Sequence, residues 1–338
     1  MTRKILSACV LSAVLLTGNL SAQQPANPTQ TATSPRPASQ KVQPAAKGRT
    51  VDVQVASQTA KVDPVVLTNQ MMLVFMERMK NGNLKEARDV ADEMVFANEK
   101  YVDTDQKVHR SFHSAMEKEL FAIYEERAGR KRQIEWVDQP VSDGFYFLAI
   151  LDFQENKHEE ALANMQKAIF WNPVRSAFYA ERGFMFLRKN SGSDIVGARI
   201  AYEKALELAD NAEDFAAALR GLAFVLVERR ELEKAVACLV VSKEFDAESK
   251  DADEEIQFIR RADPALVNGM NLARAREVMK EAKILSNYSA DHVQVLIRIA
   301  DSFKSPEDSK KAVLLLRKAN EMSPKNPEVV KRLNALKK

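Results

Sequence analysis

Three side chains able to bind a metal or move a proton recur at helical spacing in this chain: His109, His113 and Glu117. Residues four apart on an α-helix share a face, so two imidazoles and a carboxylate could converge on one cation there. The pattern differs from the zinc-protease one, which places glutamate directly after the first histidine; here that residue is Arg110. The polar flank of an amphipathic helix accounts for the same three residues, so neither a metal nor a cofactor is expected. His158 falls in an interhelix turn, where packing is its expected role, and His292 begins a helix with no evident partner. The acidic run Asp246 to Glu255 lacks the alternating oxygen donors and central glycine of a calcium loop and reads as a solvated helix start. Arg130-Lys131-Arg132 is too short to mark a nucleic-acid site. No serine nucleophile motif, glycine-rich phosphate loop or paired-cysteine metal motif is present. The expectation is that the chain is not an enzyme.

The elements that would position these groups are helices. After residue 63 the chain is rich in alanine, leucine, glutamate and lysine, which favours helix. Asp63-Pro64 reads as an N-cap and first helical position, with a helix to about Lys80, a turn at Asn81-Gly82-Asn83, and a second helix carrying Leu84, Ala87, Ala91, Met94 and Val95 on one face. Val108, Phe112, Ala115, Met116, Leu120, Ile123 and Tyr124 predict one long amphipathic helix over 105–127. Residues 63–141 are thus a helical hairpin plus a long helix.

From residue 142 to 338 a pattern recurs about every 34 residues. Phe145, Leu148 and Ala149 are followed by Ala161, Met165, Ala168 and Pro173. Tyr179, Gly183 and Phe186 then lead to Ala198, Tyr202 and Ala205, with an insertion at Asn190-Ser191-Gly192-Ser193. A strict copy has Leu219, Leu222, Ala223, Leu226, Ala235, Leu239 and Ser242. A damaged one keeps Ala275, Met279 and Ala282 but is interrupted at Asp263-Pro264 and Asn268-Gly269. The last has Leu296, Ile299, Ala300, Phe303, Ala312, Leu316, Ala319 and Pro324, and a helix from Pro327 caps the end. Small residues let two helices approach, and bulky ones fill the space between pairs.

The first 62 residues differ in kind. Arg3 and Lys4 precede an apolar stretch from Ile5 to Leu16, and Leu20-Ser21-Ala22 offers a cleavage point, so 1–22 reads as a signal peptide. Leu6-Ser7-Ala8-Cys9 has the form of a lipobox, but the apolar run continues beyond it, so a lipid on Cys9 is not expected. Residues 23–62 are rich in Gln, Pro, Thr, Ala and Ser and read as a disordered tether, with no aromatic residue before Phe75. Within it, Thr50 to Val55 alternates with period two and could add as a strand to a partner. Formal charge is +3 overall, but the leader and tether carry all of the excess, leaving residues 63–338 slightly acidic. That argues against a nucleic-acid surface. Once the leader is removed, Cys238 is alone and no intrachain disulfide can form.

The recurring helix pairs resemble the tetratricopeptide repeat (TPR) family, well over 142–338 and weakly over 68–98. The resemblance implies an all-α, right-handed superhelical solenoid after the tether. It also implies that the first helix of each pair lines a concave groove, which places Tyr146, Phe147, Ile150, Phe184, Arg220, Phe224, Arg298 and Asp301 there. The lysine and asparagine clamp that TPR chaperone adaptors use for a C-terminal carboxylate is absent. The expectation is an exported scaffold in the periplasm or at the outer membrane of a bacterium, with no transmembrane segment in the mature chain. It would hold an envelope protein in an apolar, aromatic groove. The alternative is a non-catalytic component of a solute-uptake system, binding a small ligand between hairpins.

Overall fold

In a computed structural model, residues 64–189, 194–303, 305 and 308–336 are described. The expected signal peptide, tether, period-two segment and 190–193 insertion lie outside them. The described chain is mostly helical. Helices α1 (Pro64–Lys80) and α2 (Leu84–Val95) form the first hairpin, with Gly82 in the left-handed conformation at the turn, φ 73°. Three further hairpins follow a short connecting block. They are α4 (Val141–Gln154) with α5 (His158–Trp171), α6 (Ser176–Leu187) with α7 (Ile195–Leu208), and α8 (Ala212–Glu228) with α9 (Leu232–Phe245).

The repeated residues explain the pairing. Ala161, Met165 and Ala168 of α5 are fully buried against α4, and Ala235 and Leu239 of α9 do the same against α8. Alanine at these contacts leaves room for the opposite backbone, so burial proceeds without voids. Tyr202 of α7 is the largest fully buried side chain and fits between two glycines. A Cβ added at Gly221 would lie 2.1 Å from its ring, and one at Gly183 2.8 Å from it. The hairpin turns use a left-handed residue after the first helix, Asn156 (φ 61°) in one and Arg230 (φ 62°) in another.

The region 105–127 is not one helix. It divides into strand β1 (Lys107–Arg110), a short link, and helix α3 (Ala115–Arg127). Ser114 caps α3, its Oγ accepting from the Glu117 amide at 3.2 Å, while the Glu117 side chain turns back to accept from the His113 amide at 2.6 Å. This is close to a capping box, and it starts a helix too late to include His109 or His113. β1 pairs in parallel with β2 (Gln133–Trp136), Val108 opposite Ile134 and Arg110 opposite Trp136. The helical spacing of Val108 and Phe112 is therefore a coincidence of strand and link, both packed into the same cluster as Leu120 and Ile123.

After α9 the order loosens. Helices α10 (Lys250–Ala262) and α11 (Pro264–Gly269) precede α12 (Leu272–Glu281), which packs on α9. The break lies at Asp263-Pro264, where the Asp263 carboxylate caps α11 by accepting from the Leu266 amide at 2.9 Å. A fifth pair, α13 (Ala290–Ser302) and α14 (Ser309–Met322), and a last helix α15 (Pro327–Ala335) complete the described chain.

Helix α3 reaches far along the sequence. Arg298 of α13 donates to Glu126 at 2.8 and 3.0 Å and to Glu119 at 3.2 Å, and Arg127 pairs with Asp291. Beneath these pairs Leu120, Phe121 and Ile123 of α3 join Val174, Leu208 and Val295 in one buried cluster. Tyr124 adds a hydrogen bond to Glu207 of α7 at 3.0 Å. The block from β1 to β2 is thus a strap tying the earlier hairpins to α13.

Candidate functional site

A cavity of about 420 Å³ lies where the strap meets the hairpins. The link before α3 and its first turn supply His113, Met116 and Glu117; α4 supplies Asp143, Tyr146 and Phe147; the entry to α6 supplies Arg175 and Ala177. The α7–α8 connection adds Asp210, the first turn of α8 adds Glu213 and Asp214, and the first turn of α13 adds His292.

The polar groups are ordered by a short network. Glu117 accepts from Asn172 Nδ2 at 2.7 Å as well as from the His113 amide, and Arg175 reaches it only at 3.4 Å. Arg175 also lies 3.9 Å from Asp143, so the guanidinium stands between two carboxylates, with a long hydrogen bond to Glu117. Ser142 donates to the Ser111 carbonyl at 2.7 Å, which joins α4 to the link after β1. Asn211 caps α8 by accepting from the Asp214 amide at 2.9 Å.

Burial shapes the charge. It lowers the His113 pKa, and the neighbouring Arg175 lowers it further, while nearby carboxylates oppose both. Burial likewise lowers the pKa of His292. Both imidazoles are therefore neutral at pH 7. Burial works against the charge of Arg175, but Asp143 and Glu117 more than offset this and its pKa rises. Burial raises the pKa of Asp214.

Buried polar atoms without a partner occur in several parts of the described chain, His109 Nδ1, Trp136 Nε1 and Arg220 Nε among them, and some lie at or near this cavity. His113 Nδ1, Asn172 Oδ1, Arg175 Nε and His292 Nε2 are buried with no partner among the described residues. One turn along α6 from Ala177, both carboxylate oxygens of Glu181 are in the same state. Glu181 is 0 % exposed, and burial alone pushes its pKa up to about 8. An unmet buried polar atom costs about 1–3 kcal/mol, so each is a feature to explain.

The structure brings only some of the anticipated residues here. Tyr146 and Phe147 reach the cavity wall, Tyr146 stacked on Phe178 at 5.1 Å and Phe147 on Phe75 at 3.9 Å. Ile150 and Phe184 are buried, Phe184 against Phe153 at 5.5 Å, and Phe224 is partly buried. Arg220 pairs with Asp246 at 2.9 Å, and Asp301 with Arg332 at 3.0 Å, while Arg298 holds the strap. Of the histidine series, His113 and Glu117 meet at the cavity, but His109 lies in β1 at 3.7 Å from both Asp103 and Glu135. Among the described residues no three acidic, histidine or cysteine side chains are placed to hold a metal. His158 sits edge-on to Phe153 at 4.9 Å. Cys238 is buried, which pushes its thiol up to about 12.

Asp143, Arg175 and Asp214 were not singled out from the sequence, and His292 was noted only as a helix start without an evident partner. The available signal was a charge inside an otherwise apolar helix, as in Val141 to Gln154, or on its buried face, as with His292 one turn before Val295 and Leu296.

A second depression is lined by Phe96, Tyr101, Phe145, Phe170 and Trp171, with Phe96 73 % and Phe170 51 % exposed. No known family model matches the chain, and no curated protein is significantly similar to it.

Proposed function

We propose that the chain is an exported, non-catalytic binding protein of the bacterial envelope, built on a TPR-like solenoid. Its ligand seats in the cavity between the strap and the hairpins. The observation that carries this reading is that three buried, unpartnered polar atoms, His113 Nδ1, Arg175 Nε and His292 Nε2, sit on residues that line that cavity. A ligand that supplied their missing hydrogen bonds would recover the free energy their burial costs. The groups present suit holding rather than turnover, because Glu117 is engaged by Asn172 and Arg175 and Asp214 by Asn211, and no described side chain of the cavity is arranged as a nucleophile with its base. Alanine-lined hairpins, left-handed turn residues and glycine-bounded Tyr202 support the TPR-like reading of the scaffold. The tether and leader support export.

Filling the cavity tests the site. Ala177→Trp would place an indole in it. The full chain should be stabilised against heat by a low-molecular-weight fraction of envelope extract, and the variant should not. Equal stabilisation of both proteins would remove the cavity as the binding site. A second reading, a scaffold that docks a partner protein, is favoured by the exposed Phe96 and Phe170. Replacing both with serine should then abolish partner cross-linking while leaving the fold intact.

A further inference from the structure

We propose that the cavity receives a cationic nitrogen group, an alkylammonium or a guanidinium, carried on an apolar stem. The inference rests on the cavity being the binding site, as argued above.

Charge is the first argument. Five acidic residues line the cavity against one arginine, and both histidines there are neutral. Arg175 already stands between Glu117 and Asp143, so Asp210, Glu213 and Asp214 have no counter-charge from it at contact distance. An anionic ligand drawn to Arg175 would face all of these carboxyl groups at short range, where repulsion is strongest.

The second argument is independent of charge. His292 is only 2 % exposed, and its ring bonds the backbone of Glu207. That bond favours the proton on the bonded nitrogen, which leaves a lone pair on Nε2. Nε2 is buried without a partner on the cavity wall. It is an acceptor waiting for a donor, and an ammonium or guanidinium brings several donors and no acceptor.

Geometry then narrows the cation. No metal-holding triad exists among the described residues, so a compact ion has too few ligands, whereas a group with divergent N–H bonds can serve acceptors spread around the wall. Between the polar groups Tyr146, Phe147, Met116 and Leu208 offer apolar surface for a hydrocarbon stem, and an aromatic face suits a cation beside it.

The test follows the His292 ring nitrogens of the full chain by NMR. One arm titrates putrescine, a free diamine; the other uses capped lysine and capped arginine amides, standing for a side chain on a protein. Capped norleucine amide and succinate are the neutral and anionic controls. Saturable shifts with putrescine or the capped basic residues are expected, and which arm binds tighter identifies the source. Asp214→Asn, or Asp210→Asn if the first variant melts early, should weaken binding about tenfold, equivalent to about 1.4 kcal/mol. Glu281→Gln, distant and exposed, should not. Shifts from norleucine amide or succinate equal to those from the cations would overturn the cationic assignment while leaving the cavity as a binding site. Silence from every probe would overturn it as well, and the Ala177→Trp comparison would then decide the cavity reading by itself.

Discussion

Two buried glutamates, one in the strap and one in the hairpin array, meet opposite treatment. Glu125 of α3 is 3 % exposed and accepts four hydrogen bonds, two from Arg130 and two from Arg132, at 2.6–3.0 Å. Burial raises its pKa, but these arginines outweigh burial and hold it below the usual carboxylate range. Glu181 of α6 is more deeply buried and accepts nothing. The burial of Glu125 is answered locally, by arginines five and seven residues away. The array spends its packing on alanine, glycine and aromatic fit and leaves a carboxyl unmet beside the cavity. The difference teaches that α6 keeps a carboxyl whose burial its own neighbours do not offset, a cost that the proposed binding role would explain.

Four substitutions would break or sharpen that contrast. The largest effect is expected in the array at Gly221→Ala, whose Cβ would strike the Tyr202 ring. It should cost about 3 kcal/mol or more, read as a lower urea midpoint. A cost below about 1 kcal/mol would mean that the array is loosely packed.

Next comes Glu181→Gln. The folded pKa of Glu181 lies above its unfolded value, so the wild type loses stability as pH rises from about 4.5 through 8. The variant should gain about 2–3 kcal/mol over wild type at pH 6.5 and nothing near pH 4. Thermal melts across this range would show the gap, and a pH-independent gap would contradict an orphaned carboxyl.

Glu125→Gln has the opposite sign. Its folded pKa is lowered, so its contribution is present above about 4.5 and is lost as pH falls through the folded value. Because Arg130 is 52 % exposed, the loss at pH 7 should be only about 1 kcal/mol and should fade in acid. The smallest change is Gly129→Ala at the end of the same strap helix. Its Cβ meets open space, but φ is 71°, so backbone strain alone should cost about 1 kcal/mol.

Much of the architecture was legible because the chain states it locally. Alanines and aromatics at fixed intervals marked α4 to α9, and Asp263-Pro264 marked the break before α11. The strap was misread because Val108 and Phe112 fit a helical period while Ser114 and Glu117, the capping signal that starts the helix later, were not weighed. The cavity was illegible for a different reason. His113, Asp143, Arg175, Asp214 and His292 come from five separate stretches, brought together by the stacking of the hairpins and the docking of α3 against α13. Spacing along one helix cannot encode that. Of the eight groove positions inferred from the family resemblance, two, Tyr146 and Phe147, line the cavity.

The contacts of α3 with α13 join residues up to 179 apart in sequence. An open row of hairpins acts as a soft spring, since each pair touches only its neighbours and can fray from either end. A strap between an early and a late hairpin turns that row into a braced frame. Pulling on one end must load Arg298, Arg127 and the apolar cluster beneath them before any hairpin peels away. The stretch between should therefore yield as one mechanical unit, and the cavity inside it should keep its dimensions under tension.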